Sequence, residues 1–127
     1  MSSNQAYETR IENLVVSVHP TNQELGRAAA QNAGDVIQDA VRARGTANII
    51  IATGNSQLTF LIALREWPGI DWSRVNVFHL DEYVGIDPQH LASFPRFLHR
   101  HFLDYVRPKA FYPLSGHAQN VAQICKD

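Results

Sequence analysis

Asp81 and Glu82 stand side by side in the stretch FHLDEYVG, directly after a mostly apolar run that begins at Val75. Two carboxylates in that place are either solvated at the end of a core strand or form part of a site where one of them moves a proton. A second candidate stretch lies earlier, in IIIATGNSQ, where Thr53, Gly54, Asn55 and Ser56 separate an apolar run from a helix-like one. Backbone N–H groups at a helix start, with the Thr53 and Ser56 hydroxyls, make a cradle for an anion. A side chain at Gly54 would block the close approach of a phosphate. The plain alternatives are a βα turn capped by Ser56 and a pair of surface acids. The loop has neither a Walker lysine nor G-x-G-x-x-G, so a sugar phosphate suits it better than a nucleotide.

Successive strand residues point to opposite faces, so one acid of the pair faces a ligand, and spacing does not say which. A carboxylate above a sheet and near such a cradle is expected to be partly desolvated, which raises its pKa towards the range of a general base. The six histidines do not form a metal set. His90 and His99 lack ligand spacing, His99 and His101 diverge on a helix, His79 lies inside an apolar strand, and no cysteine pair accompanies them. No metal site is expected.

The elements that must position these residues follow from the pattern of the chain. Its 127 residues, 45% hydrophobic, suit one α/β domain over 1–127 with a real core. The formal charge of −1 favours neither nucleic acid nor an anionic membrane. The single cysteine, Cys125, fits a reducing compartment, and the absence of an apolar h-region or membrane-length run predicts a cytoplasmic protein. Strands are expected over Asn13–Val18, Asn48–Thr53 and Arg74–Leu80. A helix is expected to start at Thr21 or Asn22, with Glu24 in a capping-box position. It buries Leu25, Ala28, Ala29, Val36, Ile37, Ala40 and Val41, and stops at Gly45. Further helices are read over Leu58–Trp67 and over Leu91–Val106, the latter with Pro95 in its first turn. The chain past Pro108 reads as loop, with the start of a last helix after Gly116. The order β-α-β-α-β-α predicts a three-layer α/β/α architecture with a parallel sheet. Both candidate stretches then lie beyond the carboxyl ends of strands, where such sheets bind ligands.

NIIIATGNSQLTFLIALRE followed by VNVFHLDEYVGIDPQHLASFPRFLHRHFLDYV resembles the glucosamine-6-phosphate deaminase (isomerase) family, within the wider group that includes 6-phosphogluconolactonases. The resemblance runs from Asn13 to Gly116, and Tyr83, where the lactonase branch has arginine, favours the deaminase branch. It implies that Asp81 is the general base between C2 and C1 of a ring-opened amino sugar phosphate, with Glu82 as its orienting neighbour. It assigns Thr53, Gly54, Asn55 and Ser56 to the substrate phosphate. The implied product is fructose 6-phosphate plus ammonia, with no cofactor. Asn55, Gln57 and Phe94 depart from the family's second loop glycine, loop proline and tyrosine.

The family's ring-opening segment, G-x-G-x-D-G-H-I-A-F-N, does not occur in residues 1–127. The chain is therefore expected to be the front portion of the domain and inactive alone, pairing with the missing half or forming a homo-oligomer. The alternatives are a non-catalytic module that binds a sugar phosphate and a lactonase-type hydrolase.

Overall fold

The computed structural model describes residues 5–126. Its centre is a parallel three-stranded sheet in which β4 (Val75–His79) lies between β3 (Ala47–Ile51) and β5 (Ala110–Tyr112). Ala47 pairs with Val75 and Ile51 with His79, so both strands end level at their carboxyl edge. The Leu80 N–H extends the ladder to the Ile51 carbonyl at 3.1 Å.

Two expectations about strands are corrected. The run ending at Val18 does not enter the parallel sheet. As β2 (Leu14–Val18) it pairs antiparallel with β1 (Tyr7–Ile11) in a separate hairpin whose residues are mostly exposed. Its turn, with Glu12 at φ 54, leaves too few residues for a parallel crossover. The third strand of the sheet is β5, in a segment expected to be loop; it is only three residues long, below what alternation can reveal.

Helix α1 (Asn22–Arg44) starts where its sequence says it should. The Thr21 hydroxyl accepts the Glu24 N–H at 3.1 Å and donates to the Glu24 carboxylate at 2.9 Å. It ends on Gly45, whose φ of 78 suits glycine and whose N–H bonds to the Val41 carbonyl. The buried face is as expected in part: Ile37 is buried and Ala40 and Val41 pack against the core. Leu25 and Val36 are exposed, Val36 by 68%, and the stripe that packs inward is Gly26, Ala30, Gly34 and Ile37. Small residues there let α1 lie close against α2 (Leu58–Arg65). A Cβ added to Gly26 would come within 2.7 Å of the Thr59 backbone, and one on Gly34 would strike the Trp67 ring. Size complementarity, not hydrophobicity, chose this face.

The last large helix is less regular than its sequence implies. Ser93 precedes α3 (Phe94–Leu98) without a side-chain cap bond, with Pro95 in the first turn; a π-helical turn spans His99–Leu103, and α4 (Asp104–Val106) closes on Arg107 at φ 50. Leu91 and Ala92 lie before it, in a loop. Arg65 reaches across from α2, donating to the His101 carbonyl at 3.0 Å and covering the Tyr105 ring at 3.8 Å. Leu61, Leu64, Val75, Val77, Leu98 and Phe102 form the fully buried centre. Burying each of the larger ones is worth about 1.5–3 kcal/mol.

Alternation along β3 and β4 shows which face of the sheet this core occupies. Ala47, Ile51, Val75, Val77 and His79 are buried. On the opposite face Ile50 is 69% exposed, Phe78 stacks on Tyr112 at 4.7 Å, and Asn76 bonds to Asn48 at 2.9 Å. The α/β organisation is thus as expected, while the described helices make their core on one face. Short α5 (Val121–Ile124) lies near the end of the chain, capped by Asn120.

The α1–α2 contact yields a test. Gly26→Ala adds roughly 1 kcal/mol of helix propensity but overpacks the interface at a cost of about 1–3 kcal/mol. The melting temperature should fall; a higher one would mean the helices separate freely.

Candidate active site

Three loops leave the carboxyl edge of the sheet: 52–57 after β3, 80–86 after β4 and 113–117 after β5. The third carried no signal in the sequence because β5 itself was not recognised.

The loop after β3 is built around Gly54, whose φ of 107 is open to glycine and strained for other residues. No atom lies within 4 Å of where its Cβ would be, so the space over it is free. A 3₁₀ turn over Asn55–Gln57 leads into α2 without a side-chain cap. Ser56 is therefore not the helix cap; its hydroxyl accepts from the Gln57 side-chain amide, at 3.5 Å. Asn55 has no positive φ, so its side chain is accommodated without backbone strain. The loop leaves the same edge of the sheet as the acids, since β3 and β4 end level there.

The two acids have different surroundings. Glu82 is half-buried, and its carboxylate accepts three hydrogen bonds: from Tyr83 N–H at 2.9 Å, and from the Ser93 hydroxyl and Phe94 N–H, both at 3.2 Å. It thereby holds the end of β4 to the first residue of α3, an acidic group on a helix N-terminus. Asp81 is exposed, and its carboxylate has no hydrogen-bond or ion-pair partner among the described residues. The desolvation expected for the outward acid is absent here, because no described element covers this edge above Asp81.

Tyr83 is exposed and packs on Phe94 with ring centroids 4.9 Å apart. Gly85 has φ 82, and its N–H bonds to the Gly116 carbonyl at 2.6 Å. Gly116 has no room for a side chain, since its Cβ would lie 2.7 Å from Glu82 Cγ and closer still to the Tyr83 carbonyl. Behind Glu82, a cavity of about 120 Å³ is lined by Ile86, Ser93, Pro113, Leu114 and His117, among others.

Sequence reasoning passed over His79 as part of an apolar strand. It is buried beneath the acidic loop, and its Nε2 accepts the Leu114 N–H at 2.6 Å. Burial lowers its pKa below 6.5, against the opposing charges of Glu82 and Asp81. Its signal in the sequence was a titratable residue at a core position. Among the described residues no three His, Cys, Asp or Glu side chains gather as a metal would require, and no helix is long and apolar enough to cross a membrane.

The arrangement offers one free carboxylate, one immobilised carboxylate and an open glycine loop, on adjacent parallel strands. The family described as "Glucosamine-6-phosphate isomerases/6-phosphogluconolactonase" matches residues 20–127. A glucosamine-6-phosphate deaminase of Arthrobacter sp. strain FB24 is 33% identical over 116 residues, covering 87% of this chain and 43% of that protein. The crystal structure of a 6-phosphogluconolactonase from Shewanella baltica superposes with a TM-score of 0.68 at 29% identity, over 75% of this chain and 40% of that one. A monomeric glucosamine-6-phosphate deaminase superposes with a TM-score of 0.71 at 18% identity, over 84% and 44%. The fold is the three-layer α/β fold of these proteins, and the chain spans about two-fifths of the length of such relatives.

The contrast between the acids predicts unequal effects on stability. Glu82→Gln places an amide NH₂ against N–H and O–H donors, and hydrogen bonds to a charged group are worth roughly 1.5–3 kcal/mol. It should lower the denaturation midpoint clearly, whereas Asp81→Asn should leave it almost unchanged. Equal effects in urea titrations would contradict the difference in their roles.

Proposed function

The chain belongs to the glucosamine-6-phosphate isomerase/6-phosphogluconolactonase family, and from that premise we propose that it carries the base and the phosphate loop of an amino sugar phosphate isomerase-deaminase. One observation carries this reading: Asp81 is free and exposed while its neighbour Glu82 is fully occupied. A general base needs an unengaged carboxylate within reach of the substrate, and Glu82 would have to surrender its hydrogen bonds first.

The substrate phosphate binds over Gly54, to N–H groups of the 53–56 loop and the hydroxyls of Thr53 and Ser56. The sugar then extends towards β4, where Asp81 takes the proton from C2 of the ring-opened aldose and returns it to C1. The transfer leaves an imine at C2, and water hydrolyses that imine to the ketose, fructose 6-phosphate, with release of ammonia. Glu82 keeps the backbone of Asp81 fixed relative to α3. Proton transfer by a single base is worth about 10²–10⁴-fold. Ring opening needs groups that the resemblance places in a segment outside residues 1–127. These residues alone therefore bind the substrate without releasing ammonia. The open sheet face bearing Ile50, Phe78 and Tyr112 and the free edge of β3 are covered by further polypeptide, either the rest of such a domain or another copy.

The similarity to the Shewanella lactonase favours a second reading, hydrolysis of a phosphosugar lactone at the same edge. A binding module without catalysis is the third. Glucosamine 6-phosphate titrated into isotopically labelled chain should shift the amides of 53–57 and 80–84, and Asp81→Asn should bind equally well. Joined to the ring-opening segment, the chain should exchange deuterium into C2, and Asp81→Asn should abolish that exchange while Glu82→Gln only reduces it. Exchange that survives Asp81→Asn would remove Asp81 as the base. Ammonia above a buffer blank from the 127 residues alone would refute the division of labour.

A further inference from the structure

Among the described residues, His79 and Ser93 are the buried polar side chains, and Ser93 is accounted for by its bond to Glu82. His79 has a different relation to the site. An imidazole nitrogen accepts a hydrogen bond only when it carries no proton, so acceptance of the Leu114 N–H at Nε2 places the ring proton on Nδ1. That Nδ1 is buried without a hydrogen-bond partner among the described residues. The Asp81 backbone lies near enough to favour the proton electrostatically, short of hydrogen-bond geometry. A buried donor without a partner is costly, so something must hold the ring in this orientation. Among the described residues, the Leu114 contact is the bond of full hydrogen-bond geometry that does so.

What Leu114 is attached to gives the bond its consequence. Two residues on, the Gly116 carbonyl accepts the Gly85 N–H, and the Gly116 backbone lies directly against Tyr83 and Glu82. The chain of contacts leaves β4 at His79, crosses to 114–116 and returns to the acidic loop at 82–85. We infer that His79 is a positioning residue for this loop: as the neutral, Nδ1-protonated tautomer it anchors Leu114, and a proton on Nε2 removes the anchor and frees 114–116 from the acidic pair.

The charges that act on the ring are those of Glu82 and Asp81. From β5, Phe111 packs at 5.7 Å between ring centroids, and on the helical side His99 packs edge-on to the same phenyl ring while paired with Asp104. The folded pKa is depressed, so as pH falls through 6.5 the unfolded chain takes up its proton before the folded one. Stability is therefore full above 6.5 and declines below it, until the folded ring is protonated as well. His101, depressed by burial and by Arg100 and Arg65, contributes with the same sign, so global acid unfolding alone is not diagnostic. The local bond is. Its existence does not depend on the reading of Asp81 as a base; only its effect on chemistry does.

Nitrogen NMR of the imidazole rings and amide hydrogen exchange, on the chain without substrate, test the inference directly. At neutral pH, His79 should show an unprotonated Nε2 and a protonated Nδ1, with the Leu114 amide protected. On acidification that protection should fall about tenfold, the equivalent of one hydrogen bond to a buried group, in step with protonation of His79. His79→Gln, which keeps an acceptor but cannot titrate, should hold Leu114 protected across the same range; His79→Phe should leave it unprotected throughout. A proton on Nε2 at neutral pH would overturn the assignment. So would Leu114 protection that tracks global unfolding instead of His79, or a Gln variant that loses it as the Phe variant does.

Discussion

The carboxylate of Glu82 fixes the carboxyl end of β4 to the start of α3. Strand β4 ends at His79 and α3 begins at Phe94, with an exposed loop between them. That loop makes local turns of its own: Asp87 accepts the Gln89 N–H, His90 accepts the Ala92 N–H, and Arg96 reaches back to the Gln89 carbonyl. None of these connects it to the sheet. Glu82 does, by accepting from Ser93 and Phe94 at the start of the helix while holding its own neighbour Tyr83. Once an oxygen is committed to a helix N-terminus, where partial positive charge gathers, the residue before it is held in place as well. Asp81 is thereby held at the sheet edge with its own carboxylate unengaged.

The same constraint gives the adjacent acids different roles without any difference in side-chain chemistry. A carboxylate that accepts three hydrogen bonds would have to leave donors unsatisfied in order to accept a proton from a substrate. A carboxylate with no partner loses nothing by doing so. Under the proposed function, the sheet supplies the second half of this arrangement. Parallel strands that end level bring the Gly54 loop and the acidic loop to one edge, and the inert glycine at position 116 lets the third loop close beneath them.

The core depends on close approach as much as on apolar area. Gly26, Ala30 and Gly34 form the contact surface of a 23-residue helix, while the larger Leu25 and Val36 point away. Such an interface favours one register between α1 and α2, because a side chain at Gly26 would meet backbone rather than a movable group. The helices gather on one face of the sheet, and the opposite face shows Ile50 and a stacked Phe78–Tyr112 pair to its surroundings.

By itself the sequence determined the elements with strong local signals: the Thr21 cap and Gly45 stop of α1, the apolar strands β3 and β4, and helix α2. It also determined the two stretches at the sheet edge, because glycine, hydroxyls and paired acids after apolar runs are local chemistry. Only the tertiary structure decided which face of α1 is buried, since a glycine stripe gains its meaning from the partner it lets in. Only the tertiary structure placed LVVSV in a hairpin and recruited AFY to the sheet, since pairing partners are non-local and three residues carry no period. The distinction between Asp81 and Glu82 was likewise out of reach of spacing. It depends on where Ser93 and Phe94 arrive in space, as the role of His79 depends on Leu114, and hydrogen bonds between residues so far apart in the chain exist only once the chain has folded.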